Sequence, residues 1–447
     1  MSRPNMKTEL LSPAGTLKNM RYAFAYGADA VYAGQPRYSL RVRNNDFGLE
    51  QLNTGIQEAH LQGKKFYVAS NIAPHNKKVH SYIRDIEPVV AMKPDALIMS
   101  DPGLIMMVKE KWPDMPIHLS VQANTVNFAA VKFWHAQGIE RVILSRELSL
   151  DEIEEIRMQV PDMELEVFVH GALCIAYSGR CLLSGYINKR DPNQGTCTNA
   201  CRWKYETHEA QQNDQGDIIL KEPAKVWQPQ PTLGIGQPED GLYMLEEPGR
   251  KGELMPAFED EHGTYIMNSK DLRAIQHIER LVKMGVHSLK IEGRTKSHYY
   301  AARTAQTYRQ AINDAEAGIP FNKDLMDTLE ALSNRGYTEG FYRRHVHDEY
   351  QNYERGTSES TKQQFVGEVI QNIHPDYLTI DVKNHFEEGD QLELMSPNGN
   401  FRFTLEGMLD TKQQPKSIAQ GSGIKVLIPK PKGYIDNPYT LIMKDLA

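Results

Sequence analysis

The sequence predicts an α/β protein: a (β/α)8 barrel of the TIM type with an insertion before its last strand, followed by a small C-terminal antiparallel β-barrel. Three observations carry that prediction. The first 170 or so residues alternate short apolar runs with helix-like segments, the pattern of repeated βα units on a parallel sheet. An eighth strand pattern, Ser288 to Ile291, stands apart after a stretch of different composition. From Phe365 onward the chain changes to short strands punctuated by Gly, Pro and Asn. A length of 447 residues also exceeds what one compact core usually holds.

Taken in order, the strand candidates are Glu9 to Leu11, Ala30 to Ala33, Phe66 to Ala69, Ala96 to Met99, Ile117 to Val121, Val142 to Leu144 and Leu165 to Val169. Amphipathic segments lie between them. Leu17 to Tyr26 ends at Gly27 and Phe128 to Gln137 ends at Gly138, each with the glycine expected just past a helix C-terminus. Ser288 to Ile291, followed by a helix from His298 to about Ala317, completes eight units. Tyr265 to Ser269 is a ninth strand candidate and is assigned to the insertion. A doubly wound open sheet is the alternative, but no G-x-G-x-x-G follows the first strand. The boundaries drawn from these shifts are 1–345 for the catalytic barrel, with an insertion at about 202–262; 346–363 for a charged linker; and 364–447 for the C-terminal domain. The Pro- and acid-rich insertion reads as a solvated or partly disordered excursion. The C-terminal module suits RNA binding, protein binding or a purely structural role about equally.

A net charge of -7 argues against nucleic-acid binding until its distribution is examined. Residues 209 to 262 hold 12 acidic residues against Lys221, Lys225, Arg250 and Lys251, so the rest of the chain is close to neutral. Residues 180 to 204 are locally basic. No apolar run reaches the roughly 18 residues of a membrane span, and the opening residues lack a signal-peptide core, so a cytoplasmic protein is expected.

The 4 cysteines, Cys174, Cys181, Cys197 and Cys201, fall within 28 positions at the spacing C-x6-C-x15-C-x3-C. In a reducing compartment such clustering points to metal ligation or catalysis rather than disulfides. An iron-sulfur cluster tolerates this irregular spacing. Zinc usually takes two close knuckles, and only Cys197 to Cys201 has that form. A cysteine nucleophile, Cys174 with His170 or His118 as base, leaves three thiols unexplained.

The run Glu166-x-Phe168-x-x-Gly171-Ala-Leu-Cys174-x4-Gly179-x-Cys181-x-x-Ser184 resembles the signature of the collagenase-like peptidases of the U class, a label given for unknown catalytic type. The resemblance extends over nearly the whole chain. It includes Glu9-Leu-Leu-Ser-Pro-Ala-Gly15, Gly27-Ala-Asp-Ala-Val-Tyr-Ala-Gly34, Met267-Asn-Ser-Lys-Asp-Leu272 and Lys290-Ile-Glu-Gly-Arg-Thr-Lys296. It implies an iron-sulfur tRNA-modifying enzyme that hydroxylates position 5 of the wobble uridine, giving 5-hydroxyuridine, with prephenate as co-substrate or required metabolite. It also implies a four-iron cluster on the four cysteines, which match at every position. The peptidase label carries less weight, since relatives are associated with hydroxylation of RNA and of quinone precursors. The alternatives are a collagenase-like cysteine or metal-dependent peptidase and a non-catalytic RNA-binding cluster protein.

Barrel active sites lie at the C-terminal ends of the strands, which selects Ser12, Asn71, Asp101, Gln122, Asn124, Arg146, His170, Glu292 and Arg294. His170 is read as a proton donor or as a residue satisfying a tight turn. Glu292 is read mainly as a holder of Arg294 or Lys296. Arg41, Arg43, Arg180, Arg146 and Arg294 are candidates to grip the prephenate carboxylates. Lys189, Arg190, Arg202, Trp203, Lys204, Arg343 and Arg344 combine cations with aromatics as candidate tRNA contacts, with Trp203 equally readable as core.

Overall fold

The computed structural model describes residues 7–40, 47–173, 270–334, 336–343, 362–370 and 374–446, and the backbone of five strands between 206 and 264. Seven parallel strands come first: β1 Glu9–Pro13, β2 Ala30–Gly34, β3 Lys65–Ala69, β4 Ala96–Met99, β5 Ile117–Leu119, β6 Arg141–Ile143 and β7 Glu164–Ala172. The eighth, β8 Ser288–Ile291, pairs in parallel with both β7 and β1, which closes the barrel. The eight strands are those expected from the sequence. Tyr265 to Ser269 lies outside the described residues. The short strand Asp271–Arg273 pairs antiparallel with the end of β7 and also with Tyr337–Thr338, so it extends the sheet without entering the ring.

The helices start where side chains can satisfy the first free amides. Thr16 caps α1 (Leu17–Ala25), Asp101 caps α4 (Pro102–Lys111) and Asn127 caps α5 (Phe128–Ala136). Ser149 and Glu152 form a capping box on α6 (Leu150–Gln159). Between them run α2 (Leu49–Leu61) and α3 (Asn76–Ala91). Then come α7 (Ile278–Lys283) and α8 (His298–Glu316), the latter capped by Ser297. Asp101, a candidate site residue in the sequence, is thus occupied as a cap: its carboxylate accepts from Leu104 N at 2.9 Å.

The barrel interior departs from the apolar filling usual for this fold. Arg141 Nη1 lies 2.6 Å from Glu9 and 3.2 Å from Glu166. Glu166 also accepts from Lys290 Nζ at 2.7 Å, and Glu9 accepts from Tyr67 at 2.7 Å and Ser288 at 2.9 Å. All of these groups are buried. Burial alone pushes the Glu9 carboxyl up, but the charge and hydrogen bond of Arg141, with Tyr67 and Lys65, outweigh it and hold the group below its ordinary value.

Across the insertion, Gly263–Thr264, Leu254–Asp260, Leu242–Glu246, Glu206–Gln212 and Ile218–Leu220 form an antiparallel sheet in that order. The reading of the insertion as a solvated or partly disordered excursion did not include these strands. The sheet's central strands come from segments far apart in the chain, and such non-local pairing leaves no trace in composition. The C-terminal region is an eight-stranded antiparallel sheet with a two-stranded ribbon, containing all six strands expected from the sequence. It docks on α1 and α8. Arg303 of α8 bonds Glu393 twice, at 3.1 and 3.0 Å, and Tyr26 donates to the carbonyls of Met395 and Tyr439 at 2.7 and 2.9 Å.

Removing Arg141 leaves two buried carboxylates facing each other, so Arg141→Leu should cost about 3–5 kcal/mol in denaturant unfolding. Because the Glu9 carboxyl is depressed in the folded state, its contribution is complete above its ordinary value of 4.5 and is lost as pH falls through the lower folded value. Urea midpoints of wild type and Glu9→Gln should therefore converge as pH is lowered below 4.5.

Candidate active site at the barrel mouth

Two polar groups face the C-terminal end of the strands. On one side Arg146 stacks 3.8 Å above the Phe168 ring and places Nη2 3.6 Å from Glu292 Oε2. Tyr32 donates to Ile291 O at 3.1 Å and lies 3.3 Å from the Glu292 carboxylate. Burial first, and the Glu292 charge next, push the Tyr32 phenol well above its ordinary pKa, so it stays a neutral donor. Arg294, itself buried, reaches Ser39 Oγ at 2.6 Å and sits over the same Tyr32 ring at 5.6 Å. On the other side Asn71 Nδ2 donates to Ser120 Oγ at 3.1 Å and Gln122 Oε1 at 3.0 Å. A cationic half thus faces an amide and hydroxyl half. Such a mouth can grip an anionic oxygen on one side and hydrogen-bond a planar polar ring on the other.

The mouth depends on an unusual crossing of β7 and β8. The register between them slips at Lys290/Ile291, a bulge that places His170 opposite Ile291. At the next position Gly171 has φ +102, and a Cβ there would meet Glu292 O at 2.3 Å. Only glycine allows the two strand ends to approach this closely. Gly293, at φ +154, similarly makes room for the Tyr300 ring.

Models of two families match the chain: peptidase family U32 over residues 15–352, and the peptidase family U32 C-terminal domain over 361–442. This chain belongs to peptidase family U32. It is 67% identical over 442 residues to tRNA hydroxylation protein P of Escherichia coli (strain K12), covering 99% of this chain and 97% of that protein. The Haemophilus influenzae protein of the same name is 63% identical over 446 residues, again covering 99% and 97%. The 23S rRNA 5-hydroxycytidine C2501 synthase of Escherichia coli is 29% identical over 405 residues, 88% of this chain and 53% of that protein.

Within this U32 chain the structure brings together Arg146, Glu292 and Arg294 as the sequence reading requires. It adds the pairing of Glu292 with Arg146, which sequence proximity to Arg294 did not suggest. His170 takes a different position. Its ring is buried among Tyr300, Tyr308 and Tyr337, with centroids 5.8, 5.5 and 5.4 Å away, and Nδ1 lies 3.3 Å from the Tyr308 hydroxyl. Desolvation, reinforced by Arg273 and Lys296, lowers its pKa to about 3, so the imidazole is neutral at physiological pH. The ring is buried and packs against Tyr300 and Tyr308 of α8. His118, the other candidate base, is buried inside the barrel, 4.6 Å from the Tyr67 ring, and held well below its ordinary pKa. Arg343 is exposed and paired with Glu339.

Arg41, Arg43, Arg180, Lys189, Arg190, Arg202, Trp203, Lys204 and Arg344 lie outside the described residues, as do Cys174, Cys181, Cys197 and Cys201. Among the described residues no group of three or more His, Cys, Asp or Glu is placed to hold a metal ion. No described helix is long and apolar enough to cross a membrane. Sequence reasoning missed Tyr32, Phe168 and Lys290, which support the arginines from below. The available signal was Ser288-Leu-Lys-Ile-Glu292, where polar residues alternate in a parallel strand that ought to be continuously apolar.

His170→Leu should leave turnover within the wild-type order of magnitude while changing the pH profile of stability. The folded-state pKa of His170 is depressed, so its contribution is complete above 6.5 and is lost as pH falls towards about 3. Thermal melts between these limits should be less pH-sensitive in the variant; a collapse of turnover at unchanged melting temperature would instead assign His170 to proton transfer.

Proposed function

We propose that this protein is a cytoplasmic tRNA-modifying hydroxylase that converts the wobble uridine to 5-hydroxyuridine, with prephenate as co-substrate or required metabolite. The observation that carries this reading is the 67% identity to tRNA hydroxylation protein P over 99% of the chain. Cys174, Cys181, Cys197 and Cys201 form a donor set suited to a four-iron cluster, and thiolate ligation of all four corners needs no further residue. When bound, a cluster with all four irons thiolate-ligated would supply redox chemistry.

The chain's own residues have separable tasks. Arg146 and Arg294 bind anionic oxygens, as the carboxylates of prephenate require. Glu292 fixes Arg146, and Tyr32 holds Glu292. Asn71 and Ser120 hold Gln122 by its Oε1, leaving the Gln122 amide nitrogen to donate to the edge of a uracil extruded from the anticodon loop. The hydroxylase reading is also favoured over a cysteine peptidase by the burial of both histidines that could have activated Cys174.

Anaerobically purified protein should contain iron and acid-labile sulfide, and Cys174→Ala should remove both together with tRNA 5-hydroxyuridine derivatives in cells lacking the chromosomal copy. Zinc alone in the purified protein, or normal wobble modification in the deletion strain with any redundant oxygen-dependent route removed, would overturn the proposal. Arg146→Gln should raise the prephenate concentration needed for modification with little change in melting temperature, because its partner Glu292 keeps the hydroxyl of Tyr32.

A further inference from the structure

Beside the mouth, the loop after β1 and the loop after β8 enclose an open hollow of about 450 Å³. The first, with the opening turn of α1, contributes Thr16, Lys18 and Asn19, and the second runs from Arg294 to His298 at the start of α8. Among the described residues, every one lining the hollow bears a cation, a hydroxyl, an amide or an imidazole, with no carboxylate and no apolar side chain. Glu368, from the C-terminal sheet, engages Lys18 Nζ at 2.6 Å and His298 Nε2 at 3.1 Å. Lys18, Arg294 and Lys296 bring three cationic side chains to the lining.

The hollow is held in shape before any ligand arrives. Asn19 Nδ2 donates to Lys296 O at 2.9 Å, tying the two loops, and Thr16 and Ser297 are fixed as helix caps. The N-termini of α1 and α8 add their partial positive charge to that of the side chains. A hollow of this size exceeds a lone phosphate and takes one with its attached sugar. It is also joined to the mouth by the chain itself: Glu292 and Lys296 are four residues apart, so their backbones are separated by ~14 Å at most.

We propose that this rim hollow binds a backbone phosphate of the RNA substrate adjoining the nucleotide presented at the mouth, with Lys296 as its principal cation. This deepens the tRNA-hydroxylase reading and rests on it. In this division of labour the rim contributes affinity for the RNA backbone, and the mouth discriminates.

The test uses full-length protein, unfractionated tRNA and two variants. Lys296→Ala removes the cation; Thr295→Glu puts a carboxylate into the hollow from an exposed position. Both should raise the KM for tRNA by about tenfold with kcat little changed, and the log–log salt dependence of tRNA binding should become shallower by about one unit. Lys111→Ala, on an exposed lysine paired with Glu87 at the far end of α4, should do neither. Wild-type KM and salt slope in both variants would overturn the proposal, as would a shift in the prephenate requirement instead of the tRNA requirement, which would make the hollow a carboxylate site. Should wild type bind tRNA without hydroxylating it, the functional reading fails while the binding measurements still decide the rim site.

Discussion

Arg141 sits between Glu9 and Glu166 in the middle of the barrel, and much of the molecule's geometry follows from satisfying it. A guanidinium buried this deeply is tolerable only when its charge is matched and its donors are used. Glu9 and Glu166 supply the match, and they in turn fix Tyr67, Ser288 and Lys290 on β3 and β8. Five strands are thereby tied through side chains as well as through the ladder.

Lys290 links this lower layer to the mouth. Its ammonium lies 4.4 Å from the Tyr32 ring and 5.5 Å from the Phe168 ring, the two rings on which Arg294 and Arg146 rest. The arginines are therefore held by stacking from below as well as by Ser39 and Glu292. Groups supported in this way lose little freedom when a substrate arrives, which is what a site for a small anionic metabolite requires.

Helix α8 serves three surfaces at once. Its inner face supplies Tyr308 to Val169 of β7 and Tyr300 to the Glu292 carbonyl just past β8. Its outer face carries Arg303 into the C-terminal sheet, where Glu393 accepts from both Nη1 and Nη2. Its first turn lines the rim hollow, where Glu368 of the same sheet meets His298 and Lys18. Burial would raise the Glu368 carboxyl, but these two partners hold it at about 2, so this contact stays ionised far below neutrality. The C-terminal sheet is thus coupled to the rim through the first turns of both α1 and α8.

The barrel was legible in the sequence because parallel strands buried on both faces must be apolar and helices must start with caps, and both rules leave local marks. The eight strands, the glycines after α1 and α5 and the six C-terminal strands all follow from them. Arg146, Glu292 and Arg294 could be singled out because a barrel places its strand ends together. The insertion sheet could not, because its strands find partners through long-range pairing. Nor could the placement of His170, whose side depends on a bulge that shifts the alternation by one residue and turns the ring from the mouth to α8. Sequence by itself determined which residues carry charge, caps and strand propensity, together with the clustering of the four cysteines. Which charges neutralise one another inside the barrel, and which side of its wall each polar group faces, was decided only by tertiary structure, because both depend on strand register between segments distant in the chain.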